Sequence, residues 1–439
     1  MRKYLFYMMA VLPCSALIAS CSSDEEVVEI GEAKRVVNML QEPNPIQLTE
    51  AQKVFVNDNN QFTLNFLKTA NQADRSGKSF IYSPLSITYV LGMVNDAAEG
   101  TTEQELEQTL GFHEGGIQAV NDYCKTLIDK LPKVDEKVQL SMANAIFVNK
   151  SKATLKAQFL SDMQQYYDAK AENLDFSASS TLGHINGWCN EKTNGMIKSI
   201  LDKVNANTVS YLLNAIYFKA DWASKFDPKN TKKENFDTAG GNVALPMMHQ
   251  NVLISYMKND TYSAVVIPYG AGLWNMTVML PEEGKTTDDV INKIVVNDHV
   301  LNNQGWCDAF SGDTFTGHEV DLKLPRFETM SDTESFGSNG LVNLLMQMGI
   351  RQVFSPDMAQ IPNMCEKGNV YVSMMRQKAA IKVDEEGSEA AAVTVAGMDF
   401  TSSTGEYPKA TFHANRPFVY VIRESSSGVI LFVGKFTGR

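Results

Sequence analysis

From about Leu48 to the C-terminus, apolar residues recur with two different periods. Helical spacing runs from Ala51 to Ala70 and again from Leu341 to Met348, where Gly349 is a plausible stop. Thr102-Glu103-Gln104-Glu105 reads as a capping box that opens a short helix carrying Leu106, Leu110 and Phe112. Val138 to Val148, Thr208 to Phe218 and Tyr262 to Leu280 are long, β-rich apolar runs. The second is apolar on both faces, as a central strand covered on each side should be. Val370 to Val383 is β-like, and Pro417 to Phe436 reads as a hairpin. Its strands are Phe418–Ile422 and Val429–Val433, joined by a turn at Ser425-Ser426-Ser427-Gly428. Helices cluster early and strands dominate late, which predicts an α+β fold with large sheets. No Gly/Ser linker, composition shift or repeat interrupts residues 49–439, so one large domain is expected there.

Before that domain the chain reads as an address. Arg2 and Lys3 precede an apolar run from Tyr4 to Ala19 that is too short to span a bilayer. Ile18-Ala19-Ser20-Cys21 resembles a bacterial lipoprotein cleavage box, so residues 1–20 are expected to be a signal peptide and Cys21 the lipid attachment site. An ordinary signal peptide with an incidental Cys21 is the alternative. Ser22-Ser23-Asp24-Glu25-Glu26 resembles the acidic tag of some Gram-negative surface lipoproteins. An outer-membrane lipoprotein exposed at the surface is therefore expected, with a periplasmic or secreted protein as the other possibility. Residues 21–48, polar and acidic with Pro43 and Pro45 near the end, read as a tether.

Composition narrows the function classes. The net charge of -12, from 39 basic and 51 acidic residues, argues against nucleic acid as a partner. Lys125, Lys130 and Lys133 make a weak basic patch that reads as a solvated helix face. Cys124, Cys189, Cys307 and Cys365 are widely spaced and contain no CxxC pair, which argues for buried thiols over a zinc site or a compact disulfide framework. The chain contains no GxSxG elbow, HExxH, P-loop or GxGxxG. Its six histidines, His113, His184, His249, His299, His318 and His413, are scattered singly along the sequence. Neither an enzyme nor a bound metal or cofactor is expected, although a triad assembled from distant residues would leave no local motif.

The informative segment runs from Lys382 to Gly397. On propensity alone it is an Ala-rich helix or a flexible loop. Yet it follows a β-like run directly, and its alternate positions Ser388, Ala390, Ala392, Thr394 and Ala396 are uniformly small. In a strand those side chains would share one face, which would let the segment slide between existing strands. Glu385-Glu386-Gly387-Ser388-Glu389-Ala390-Ala391-Ala392 resembles the hinge of inhibitory serpins, and Phe412 to Tyr420 resembles the C-terminal signature of that family. Leu431-Phe432-Val433-Gly434-Lys435, Ser83-Pro84-Leu85-Ser86-Ile87, Asn144 to Val148 and Asn214 to Trp222 match further family blocks in the right order.

The resemblance implies a serpin fold: a single domain with a large central mixed β-sheet, two further sheets, eight or nine helices and an exposed reactive-centre loop. It implies a monomeric inhibitor of serine, and in some cases cysteine, proteases. The loop would be cleaved and the protease trapped as a covalent acyl-enzyme while the loop inserts into the central sheet, a mechanism general to the family. By position, Trp222, Arg326 and Glu385 would form the breach where insertion starts. Ser83, Ser86, Asn214 and Gln377 would form the shutter, with Gln377 standing where the family usually has His. Counting from the hinge puts the reactive bond at Thr401-Ser402; counting back from the C-terminal signature puts it at Ser402-Ser403. A small residue there suits elastase-like, subtilisin-like or papain-like targets. The alternative functions are a non-inhibitory serpin acting as a surface binding protein and, further off, a surface hydrolase.

Overall fold

The computed structural model describes residues 26–30, 33–37, 43–113, 115–296, 315–337, 339–366, 370–387 and 407–439. In chain order it begins with β1 (Glu26–Ile30), β2 (Ala33–Val37), α1 (Glu50–Ala73), β3 (Phe80–Tyr82), α2 (Pro84–Asn95), α3 (Gly100–Leu110) and α4 (Gly116–Lys130). Next come β4 (Val138–Asn149), α5 (Ala157–Tyr167), β5 (Lys170–Leu174), α6 (Thr181–Lys192) and β6 (Ser210–Ala220). They are followed by β7 (Lys232–Thr238), β8 (Gly241–Lys258), β9 (Tyr262–Tyr269), β10 (Trp274–Pro281), α7 (Thr287–Val296), β11 (Thr316–Pro325) and β12 (Phe327–Asp332). The chain closes with α8 (Gly340–Met348), β13 (Met375–Val383), β14 (Lys409–His413), β15 (Phe418–Glu424) and β16 (Ile430–Phe436).

Five strands form a mixed sheet in the order β12-β13-β6-β4-β5, with β13–β6 and β4–β5 parallel. The two further sheets share the 18-residue strand β8, so they form one connected nine-stranded sheet, with β7 branching off β8. The expected two-faced burial of β6 has a direct cause. Leu212, Ile216 and Phe218 enter the main core, while Tyr211, Leu213 and Ala215 join a second core on the outer face. That outer core is closed by Ile185, Trp188 and Cys189 of α6 and by Ile197, Ile200 and Leu201 beyond it. On the inner face lies α2, buried over its whole length, as a helix apolar all round must be.

Local expectations fail where tertiary partners take over. The capping box at Thr102–Glu105 does not form, because α3 already starts at Gly100 and its N-cap, Glu99, makes no side-chain cap. Thr102 Oγ1 instead accepts from the Gln360 amide at 3.0 Å, and Glu105 accepts from the amides of Arg351 and Gln352 at 2.9 and 2.8 Å. The capping box that does form, Thr49 with Gln52, opens α1. The run Tyr262–Leu280 is two strands that turn at Gly270 and Gly272, both at positive φ. Val370 to Met374 precedes the strand rather than joining it, and Lys409 opens β14 rather than ending a polar loop. Within the expected tether, β1 and β2 pair antiparallel, and β-branched Val27, Val28, Ile30, Val36 and Val37 favour that pairing.

Candidate functional site

The parallel seam between β6 and β13 is the centre of the site. Registered pairs run from Leu212↔Met375 to Ile216↔Ala379 and end there. β6 continues to Ala220 and β13 to Val383, where β13 keeps its antiparallel partner β12 through Phe327↔Val383.

Above the seam, the chain leaving β13 hooks onto the end of β6. Trp222 N donates to Glu386 O and Phe226 N to Glu385 O, both at 3.0 Å, and Asp221 bridges Gly387. Gly387 sits at φ +115°, and a Cβ there would lie 2.6 Å from the Asp221 carbonyl carbon and closer still to Trp222 N. Only glycine fits that approach. Trp222 is buried, stacks on Tyr269 with ring centroids 4.3 Å apart, and donates its indole N–H to Asp384 O at 2.8 Å. Glu385 accepts both arms of the Arg326 guanidinium and also the Thr231 hydroxyl at 2.6 Å. Burial pushes the Glu385 carboxyl up, but the hydrogen bonds from Arg326 and Thr231 outweigh it and hold the group below the usual range. Trp222, Arg326 and Glu385 thus occupy one cluster. The sequence reading missed Thr231, and also Lys225, which pairs with Glu386 at 2.6 Å.

Beneath the seam, Ser83, Ser86, Asn214 and Gln377 form one buried polar network. Gln377 Nε2 donates to Ser83 O (2.8 Å) and Asn214 Oδ1 (3.2 Å), while its Oε1 accepts from Ser83 N (3.0 Å). Ser83 Oγ bonds Ser86 Oγ at 3.1 Å. Two members were missed. Asn144 accepts from Asn214 Nδ2 at 2.9 Å, and Thr333 Oγ1 accepts from Gln377 N at 3.1 Å. Asn144 lies inside a block singled out from the sequence; Thr333 carried no signal. Gln377 is wholly buried and its amide is fully used, as a polar group there must be.

Of the expected hinge, Glu385, Glu386 and Gly387 are described. Ser388, Glu389, Ala390, Ala391, Ala392, the bond Thr401-Ser402, Ser403 and Cys21 lie outside the described residues. So does Cys307, while Cys124, Cys189 and Cys365 are free and buried. Burial pushes the Cys189 and Cys365 thiols up to about 12 and about 11, so neither resembles an activated nucleophile. The histidines are less solitary than the sequence indicates. His249 on β8 and His413 on β14 both bond Asp321 on β11, at 2.7 and 2.9 Å. Those hydrogen bonds outweigh burial and lower the Asp321 carboxyl. Among the described residues no group of three or more His, Cys, Asp or Glu is arranged to hold a metal. Among them, too, no helix is long and apolar enough to cross a membrane.

A mixed sheet with a half-paired parallel seam, a hook above it and a polar network below defines one class of α+β protein, in which the segment after β13 leads from one sheet to the edge of another at β14. The family model described as Serpin (serine protease inhibitor) matches residues 57–438, and the chain belongs to that family. Serpin B6 of Macaca fascicularis is 31% identical over 394 residues, 88% of this chain and 99% of that protein. The native-state structure of the thermophilic serpin tengpin superposes with a TM-score of 0.75 at 26% identity, over 90% of this chain and 96% of that one. Thyroxine-binding globulin in complex with thyroxine superposes with a TM-score of 0.73 at 25% identity, over 88% and 98%. The family consists mostly of protease inhibitors rather than enzymes, and the globulin is a relative that binds thyroxine.

Proposed function

We propose that this chain is an inhibitory serpin held at the bacterial outer surface by acyl chains on Cys21. The observation that carries the inhibitory reading is the seam. β6 and β13 share only five registered pairs, yet each runs four residues further, so a new strand can enter from the top between them. The segment that would enter follows Gly387, and as a strand it would present Ser388, Ala390, Ala392, Thr394 and Ala396 on one face. About a dozen new ladder bonds at roughly 1 kcal/mol each would supply on the order of 10 kcal/mol. That rivals the stability of a whole domain, so the uninserted form is held kinetically.

In this reading the target attacks Thr401-Ser402, the acyl-enzyme forms, and insertion drags the protease away before water releases it. The small residue at Thr401 favours elastase-like, subtilisin-like or papain-like targets, and the absence of Arg or Lys between Glu385 and Tyr407 disfavours trypsin-like ones. Incubation with such a panel should give an SDS-stable complex and a large rise in melting temperature after loop cleavage. Complete cleavage with neither complex nor stabilisation would refute inhibition and favour a surface binding protein. Metabolic labelling with a fatty acid tests Cys21, and an unlabelled, fully soluble product would remove the anchor.

A further inference from the structure

The tether and the reactive segment meet the body at the same end of the molecule, a coincidence that the inhibitory reading does not use. β4 and β6 are antiparallel, so Val138 stands beside Ala220 at the top of the central sheet. Asp221, the next residue, bridges Gly387, from which the reactive segment leaves the body. That segment rejoins the body on β14, whose neighbours are β11 and then β8. β8 reaches the top as well, because Pro246 O accepts from Arg326 N at 2.8 Å and Arg326 holds Glu385.

The end of the tether is strapped down beside this top. Asn44 N donates to Val134 O at 2.8 Å and Lys130 Nζ to Gln47 O at 3.0 Å. Ile46, between them, is buried and donates its N–H to Ser426 Oγ at 2.8 Å. From Val134 the route to the reactive segment is short. The adjacent Asp135 accepts from Ala271 N, Gly270 N donates to Asp221 O at 2.8 Å, and Asp221 meets Gly387. Those steps place Asn44 within about 30 Å of Gly387. Nearer Cys21, β2 lies against β8, the strand two places from β14. Even drawn out fully on either side of the paired β1 and β2, the chain from Cys21 to Asn44 spans no more than about 50 Å. With β2 against β8, only the chain from Cys21 to Glu26 separates the lipid from the body, about 18 Å at most.

We propose that the tether holds the reactive segment on the membrane side of the body, and that the partner this selects is a protease attached to the same surface. This rests on the acylated, inhibitory reading and adds where its target is found. A protease domain of about 250 residues is about 45 Å across. One held on the bilayer therefore presents its active site in the layer to which the tether confines Gly387. Two partners confined to one layer meet at a raised effective concentration, and that gain is lost when the geometry keeps them apart.

The test uses the acylated chain in phosphatidylcholine vesicles that carry an energy acceptor on the headgroup of a tracer lipid. Donor dyes are placed, in a C307S background, at K382C near the top of β13 or at N207C before the opposite end of β6; both positions are exposed. The sites are about a strand length apart, so transfer to the surface should be at least about twofold stronger from K382C. Equal or reversed transfer in vesicle-bound chain would refute the placement while the anchor stands. For the partner, one elastase-like protease is supplied either free or held on the vesicle by a polyhistidine tag and a nickel-chelating lipid. Against the held protease, the acylated chain should form SDS-stable complex about tenfold faster than the soluble chain beginning at Ser22, and against the free protease no faster. Twelve EAAAK repeats inserted between Val37 and Pro43, about 90 Å of helix, should remove the gain. Absence of the gain, or a gain that survives the spacer, overturns the choice of partner and leaves inhibition intact. A chain without acyl groups takes the proposal down with the anchor, and failure of every form to trap either protease takes it down with inhibition.

Discussion

Replacing Gly387 by Ala should free the hook above the seam while leaving the rest of the fold in place. At φ +115° an L-residue carries a handedness cost of about 1–2 kcal/mol. The added Cβ also meets backbone, which cannot rotate away as a side-chain tip can, and overpacking of this kind costs about 1–3 kcal/mol. Holding the native geometry would therefore cost about 2–5 kcal/mol. Letting go loses Trp222 N to Glu386 O, Phe226 N to Glu385 O and both backbone bonds between Asp384 and Gly387, about 4 kcal/mol at roughly 1 kcal/mol each. Release is the cheaper route at the upper end of that range, so the loss of stability should not exceed about 4 kcal/mol. Hydrogen exchange reads this locally: the amides of Trp222 and Phe226 should exchange about 100-fold faster, since each 1.4 kcal/mol is a factor of ten. The network around Gln377 should keep its protection. Wild-type exchange at Trp222 and Phe226, in a variant equally resistant to denaturant, would refute the reasoning.

Three further outcomes follow from the same geometry. Gln377→Leu strips partners from Ser83 N, Ser83 O and Asn214 Oδ1 and should cost about 2–4 kcal/mol in chemical denaturation; a loss below about 0.5 kcal/mol would mean the network is not holding the seam. Gln377→His should add a pH dependence that wild type lacks at this position. A buried imidazole resists protonation, so the variant's stability should fall as pH drops below about 6.5, and a curve parallel to wild type between pH 5 and 8 would count against it. Glu385 and Asp332 both titrate below the usual carboxylate range, in each case because paired arginine hydrogen bonds outweigh burial. Their contribution is complete above about pH 4.5 and is lost as pH falls through their folded values. Melting curves from pH 3 to 7 should show that decline, and Glu385→Gln should flatten it by removing one of the two groups.

What could be read from the sequence is what periodicity encodes. The two-faced apolar run of β6 announced a central strand, and the small alternate residues after Gly387 marked a segment able to lie between strands. Asn214 and Gln377 were legible because they interrupt such runs in recognisable blocks. Periodicity does not say which strands are neighbours, so contacts made across strands were invisible. Thr333 and the His249–Asp321–His413 triplet both belong to that group. The failed capping box has the same cause: Thr102 and Glu105 serve amides more than 240 positions away.

Those hidden contacts fall where a barrier would be most useful. Gln377 closes the inner face of the seam through Ser83 and Asn214. Apolar side chains could have closed that face, but apolar contact is non-directional and lets strands slide with gradual loss. A hydrogen bond is lost within about an ångström of displacement, while its net contribution to equilibrium stability is only about 1 kcal/mol. A polar network there therefore raises the barrier to separating β6 and β13 with little change in the energy of either end state. A sheet that must stay shut for long periods and then open completely requires that combination.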